Sequence, residues 1–334
     1  KVKSSFEMFK KVALEQKKLL VYVAIATFTI NILALTTSLF TMQVYDRVVP
    51  TGGISTLIAL TIGVFIAILL EMIIKFSRSI IVDYTTKIMD LEYSNDIFQR
   101  FLKIRCDAIP RSVGTLSSQL QSYNSVRGFI TSSAMFILID LPFSLIFIFV
   151  IFLIGGFTLG LIPIVFLILS LAVGFIFRKK IEQASMNSSV SSYKKMGLMV
   201  ETIENVENIK STGAGFKILN NWNKLTHDAI DDDIEIRHYS DMANYFTVFF
   251  QQICFVSIVA IGAYTITESG SITMGALIAI TILSGRILQP ISQLPSYFVQ
   301  WGKSKLAIKD LDSIYKLPSD NEGVDKPLTP YLNR

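Results

Sequence analysis

MNSSVSSYKKMGLMVETIENVENI, residues 186–209, lies between two of the most apolar runs of the chain and still reads as helix. Met186, Val190, Tyr193, Met196, Val200, Ile203, Val206 and Ile209 recur every three or four positions, a narrow apolar stripe on one face of a helix several turns long. The polar segment Arg178–Asp241 around it therefore predicts helical structure outside the lipid that needs a packing partner there.

Working outward, the chain is too apolar for an ordinary soluble domain. Of its 334 residues 51% are hydrophobic and only 17% charged, with a mean hydropathy of +0.51. Six runs approach the roughly 20 residues needed to cross a bilayer: Leu20–Met42, Ile54–Ile74, Ala134–Ile154, Thr158–Phe177, Tyr245–Ile266 and Ile272–Leu288. Of the 31 basic residues, all but Arg47 and Arg286 fall in four stretches, Lys1–Lys18, Lys75–Arg127, Arg178–Arg237 and Lys303 to the end. On a six-span path these share one side, which the excess of positive charge makes cytoplasmic, with both termini inside. The net charge of +5 is then a topology signal and a contact with anionic lipid, and nucleic acid is not an expected partner. Cys106 and Cys254, on the cytoplasmic side and in the fifth span, form neither a plausible disulfide nor a metal spacing.

Residues 1–18 read as an interfacial elbow helix: Ser4 and Glu7 fit a capping box, and Phe6, Phe9 and Ala13 share a face opposite the lysines. Residues 19–316 form the transmembrane domain, and 317–334 a polar linker. Pro50, Gly52 and Gly53 mark the first outer turn, and Gly155-Gly156 a tight hairpin between spans three and four. Span two, free of Pro until Pro110, continues far into the cytoplasm, and a Ser/Gln-rich segment at 111–122 precedes the return. The second cytoplasmic leg repeats the plan, with a break at 211–215 and a short helix expected at Phe216–Trp222. Loops are short outside and long inside, twice over. Legs ending in short transverse helices suit a lever to a cytoplasmic partner better than a midplane binding site alone.

The layout, together with MQVYDRVVP (42–50), DLPF (140–143), ETIENVENIKSTG (201–213) and SGRILQPISQL (284–294), resembles the transmembrane domain of an ABC exporter of the branch serving bacterial type I protein secretion. The resemblance implies an all-α membrane protein of six transmembrane helices with long cytoplasmic extensions, homodimeric, in the bacterial inner membrane. It implies coupling helices at Ser112–Ser122 (Ser112, Gly114, Leu116, Gln119) and Thr212–Asn223 (Thr212, Gly213, Ala214, Gly215, Phe216) that dock onto nucleotide-binding domains carrying ATP and Mg. The implied partners are a second copy, the nucleotide-binding domain, a membrane-fusion protein, an outer-membrane duct and an unfolded polypeptide substrate.

No GxxxxGK[ST] loop occurs, and Gly213-Ala-Gly215-Phe-Lys217 has the wrong spacing to cradle phosphates. The chain alone is therefore expected not to hydrolyse ATP and to need no cofactor or catalytic residue of its own. The ATPase is expected fused in a longer protein, encoded separately, or absent. The last case would make the chain a membrane scaffold or receptor, and a further alternative is export of lipid or small peptide.

Five ionisable residues are candidates for the pathway or its gating. Asp140 and Arg286 lie in apolar runs, where a charge faces a cavity or a partner, or sits near the boundary within reach of water and lipid phosphate. Arg286 could pair with Asp140 or Glu71. Asp46 and Arg47 form an outer gate, a contact for a periplasmic partner or a local turn lock. Pro290 and Pro295 are kinks. Asp231–Asp233 reads as a solvated face rather than a metal site, and His227 and His238 as leg surface.

Overall fold

The computed structural model describes residues 17–108, 113–135, 141–270 and 272–320. Residues 1–16 of the elbow helix expected at 1–18, Ser112, Asp140 and the part of the expected 317–334 linker beyond residue 320 lie outside the described residues. The described chain is helical almost throughout, with a single β-bridge between Ile104 and Ser319.

Helix α1 (Lys17–Gln43) runs through a π-helical turn at Val44–Val48 and one helical turn at Val49–Thr51. Helix α2 (Ile54–Leu102) follows, then α3 (Val113–Gln121) and α4 (Tyr123–Met135). Helix α5 (Leu141–Glu204) leads to the short α6 (Val206–Thr212) and to α7 (Gly215–Ser269). The chain ends in α8 (Met274–Leu288), a 3-10 stretch at Gln289–Gln293 and α9 (Leu294–Tyr315). Pro290 and Pro295, each in the first turn of its element, divide α8 from α9. Among the described residues, five helical segments are long and apolar enough to cross a membrane.

One of the five is two limbs. Gly156, at φ 70° and ψ −173°, interrupts α5. The Phe152 ring lies where a β-carbon on Gly160 would be, a contact that a straight helix, at about 1.5 Å rise per residue, puts far out of reach. The chain reverses there, as Gly155-Gly156 predicts, because only glycine adopts that φ without strain. The limb from 157 to 204 is about 70 Å long and α7 about 80 Å, against about 30 Å of hydrocarbon. Both project well beyond any bilayer.

The apolar core centres on α8. Its small residues let neighbours close in: Ala279 is fully buried, and Ile280, Leu283, Ile287 and Leu288 are fully buried among Phe147 and Ile151 of α5 and Cys254 and Ile258 of α7. Each large side chain buried this way contributes about 1.5–3 kcal/mol against water. The apolar window of α2 is the opposite case, with none of its residues buried within this chain.

In the legs, Met89, Tyr93 and Ile97, four apart on α2, pack with Val126 of α4 and with Ala307, Leu311 and Tyr315 of α9. The second leg departs from its predicted stripe. Val190, Met196, Ile203 and Val206 are exposed, whereas Ile181, Ala184, Ser185, Ser188 and Ser189 are the buried face. Their small size lets α9 approach closely: the Ser185 hydroxyl donates to the Val299 carbonyl at 2.7 Å, and a β-carbon on Gly302 would lie 2.6 Å from the Glu182 carbonyl oxygen. The acidic run is absorbed here too. Ser188 donates to Asp233 and Ser191 to Asp232, His227 lies 2.9 Å from Asp231, and no metal-like cluster of His, Cys, Asp and Glu occurs among the described residues.

Asp310 of α9 has a buried carboxylate oxygen without a hydrogen-bond partner, and burial pushes its carboxyl above the ordinary range. A carboxyl raised in the fold contributes its stability fully below its unfolded pKa and loses it as pH rises through the folded one. Asp310→Asn should therefore raise the melting temperature at pH 7 by on the order of one or two degrees, the half-exposed site limiting the gain. The advantage should vanish near pH 4, as thermal melts at both pH values would show.

Candidate functional site

Three places carry the features that sequence singles out: a polar cavity among the apolar helices, a joint at the outer end of α1, and the far tips of the legs.

The cavity, of about 380 Å³, lies among α1, α2, α5 and the α8–α9 break. Glu71 and Arg286 both line it. They do not pair: Glu71 takes Lys75, one turn on, at 2.6 Å. Arg78, one turn further, reaches the Thr27 hydroxyl of α1 at 3.3 Å. Arg286 has no ion-pair or hydrogen-bond partner among the described residues. Asn31, Gln289 and Gln293 add amide groups, and Ile30, Ala34, Phe143 and Phe147 an apolar wall. Pro290 lacks the N–H that would continue α8, so the helix breaks where Arg286 and Gln289 face the cavity. Asp140, three residues before Phe143, is outside the described residues.

Sequence reasoning missed Lys75, Arg78 and the three amides as members of this site. Glu71, Lys75 and Arg78 are spaced by four and three on one helix, a visible pattern, but the two bases read as the start of the cytoplasmic charge excess.

At the outer joint, the Asp46 carboxylate accepts from the Thr273 hydroxyl at 2.6 Å and from the Gly275 backbone N–H at 2.8 Å. Thr273 in turn caps α8 by accepting from the Ala276 N–H. Asp46 is thus neither free nor engaged only in its own turn; it fastens the end of α1 to the start of α8. Arg47 is exposed, and its carbonyl accepts from Thr51.

At the tips, α3 covers Val113–Gln121, so Gly114, Leu116 and Gln119 are helical. Leu116 is buried with Ile104 and Ile314, seating this tip on the end of α9. In the second leg the short helix is α6, Val206–Thr212, one break earlier than the expected Phe216–Trp222, which forms the first turns of α7. Thr212 ends α6, Gly213 turns the chain at φ 68°, and Ala214, Gly215 and Phe216 open α7. Ile203, Val206, Leu219 and above all Phe216, at 82% exposure, leave this tip apolar and open.

The Leu317–Asp320 segment is strapped to the end of α2. Arg100 donates to the Tyr315 and Leu317 carbonyls at 2.8 and 2.7 Å. Arg105 N–H donates to Pro318 O, and Asp320 N–H to Lys103 O. The Tyr315 hydroxyl donates to Asp96 at 2.7 Å, and burial, then this bond, push its phenol well above the ordinary tyrosine range.

Helices of this length and order give the chain a membrane-spanning fold whose legs extend well beyond the lipid. Residues 20–291 match the ABC transporter transmembrane region, and the chain belongs to that family. It is 23% identical over 324 residues to the toxin RTX-I translocation ATP-binding protein of Actinobacillus pleuropneumoniae, covering 96% of this chain and 45% of the relative. To the alpha-hemolysin translocation ATP-binding protein HlyB of Escherichia coli O157:H7 it is 24% identical over 325 residues, with the same coverage. The fold resembles a bacterial Atm1-family ABC exporter with ATP bound, at a TM-score of 0.76 and 12% identity, over 90% of this chain and 54% of that one. The chain spans less than half the length of these curated relatives.

Proposed function

We propose that this chain is the membrane-spanning part of an ATP-driven exporter that moves an unfolded polypeptide across the bacterial inner membrane, as in type I secretion. The observation that carries the reading is the second leg's tip, where apolar side chains stand in water far from the lipid. An exposed apolar patch at the end of a rigid lever calls for a soluble partner. Nucleotide-binding domains holding ATP and Mg would seat on α3 and on the α6–α7 junction, and their closure would swing the legs and switch the cavity's access.

The chain's relation along nearly its whole length to toxin translocation proteins supports a polypeptide cargo. The unburied window of α2 supports pairing with a second copy or lipid. The break at Gly156 supports six crossings with both termini cytoplasmic. A membrane-fusion protein and an outer-membrane duct would complete the path.

The test is reconstitution of the chain with its nucleotide-binding domain in proteoliposomes. ATP-dependent entry of an unfolded, protease-protected polypeptide is the expected result. Lipid movement without polypeptide would make it a lipid exporter, and no response to ATP a scaffold.

A further inference from the structure

We infer that Gln252, on the outward face of α7, lines the water-filled route of the polypeptide and offers its amide to the backbone of the passing chain. The inference rests on the polypeptide reading above and adds a residue to its route.

The first ground is where the amide stands. Residues two apart on a helix are turned by about 200°, so Gln252 is set nearly opposite Cys254, which is fully buried in the core around α8. Gln252 is exposed, and no hydrogen bond joins it to another described residue. Counted from Tyr245, where the apolar run of α7 begins, it lies about 10 Å into the hydrocarbon. An exposed hydroxyl at such a depth is satisfied by its own helix, as Thr61 is by the Leu57 carbonyl. An amide turned to lipid tails stays unsatisfied, which is costly.

The second ground is what else is there to cover it. Phe28 of α1, Leu69 of α2 and Phe175 of α5 are exposed at a similar depth, counted from the outer ends of their helices. A second copy laid on Gln252 by any of these faces brings it no polar partner, whereas water does. Its neighbour Gln251 places a side-chain nitrogen 3.9 Å from where a β-carbon on Gly285 would be, and Gly285 precedes Arg286 of the polar cavity. The amide thus stands level with that cavity. Tyr245, Phe249 and Val256 share its exposed face. One group that both donates and accepts, set among aromatic and apolar ones, suits an extended backbone whatever its sequence.

The test uses proteoliposomes carrying the nucleotide-binding domain and a Gln252→Cys chain in which Cys106→Ser removes the exposed native thiol, Cys254 being buried. A charged, membrane-impermeant thiol reagent should modify Q252C, and the unfolded polypeptide of the reconstitution above should slow that modification severalfold. Gln252→Leu should slow polypeptide entry severalfold, and Gln252→Asn should keep most of it, which separates a lost amide from lost folding. No modification of Q252C, modification at the same rate with polypeptide present, or entry at the native rate with Gln252→Leu would overturn the inference while leaving polypeptide export standing. A disulfide between copies on oxidation of Q252C, in place of modification, would overturn it in favour of an amide pair on the two-fold axis. Failure of any polypeptide to enter with the native chain would instead remove the reading on which it rests.

Discussion

Gly275→Ala unseats the outer joint between α1 and α8 and lowers the melting temperature by several degrees. A β-carbon at this position would press into the Met42 carbonyl oxygen and lie 2.7 Å from an Asp46 carboxylate oxygen. Met42 is backbone and cannot rotate away, so α8 itself must shift. The shift lengthens the bonds from Thr273 and Gly275 to Asp46. Overpacking alone costs on the order of 1–3 kcal/mol, and a carboxylate left with broken bonds adds to it. Asp46→Asn, which keeps the shape, should cost less than Gly275→Ala. Equal melting curves for the native chain and Gly275→Ala would show that the two helices are not held this closely.

Arg100→Ala should release the Leu317–Asp320 strap. Its guanidinium carries two charge-assisted bonds to carbonyls at and beyond the end of α9, where a helix has no N–H groups left to offer. Removing it leaves the backbone bridge between Ile104 and Ser319 without its neighbour and costs on the order of 2–3 kcal/mol locally. Amide exchange at residues 316–320 should then speed up by roughly thirtyfold or more, with exchange in α8 unchanged. Arg100→Lys should recover part of the protection, because both bonds leave the single nitrogen Nη2, whose place an ammonium on a shorter stem fills only in part. The strap ties the tip-bearing first leg to the chain that follows Tyr315. Unchanged exchange would mean that the bridge holds without Arg100.

Much of this architecture is legible in the sequence, and the misses have physical causes. Lipid demands long unbroken apolar runs, so the helices around spans one, two, five and six announce themselves, and Gly155-Gly156 marks the reversal at Gly156. Span three begins near residues outside the described ones. The second tip is displaced because α6 is set off by Asn205, at φ −110° and ψ 20°, a residue without glycine's or proline's signal. Gly213 and Gly215 drew the expected break to the far side of that helix. The apolar stripe of the second leg misled for another reason. Periodicity finds large apolar side chains, whereas the face that packs within this chain is closed by serines and glycine at Ser185, Ser188 and Gly302.

The cavity was half legible. Glu71 and Arg286 stand out because charge is rare in an apolar run. Arg78 does not, since it falls past the run among other bases. Elements separated widely in the sequence meet at this cavity, and one sequence without a structure gives no means of bringing them together.

On the proposed function, the leg tips transmit the work of an ATPase. The most direct test is the ATP hydrolysis rate of the partner nucleotide-binding domain, in proteoliposomes, with the native chain and with Val206→Asp/Phe216→Asp. These side chains are exposed in this chain, so the variant should fold and melt as the native chain does. The account predicts that the native chain changes the hydrolysis rate severalfold and that the variant abolishes the change. Hydrolysis indifferent to the chain, or altered equally by native and variant, would contradict it.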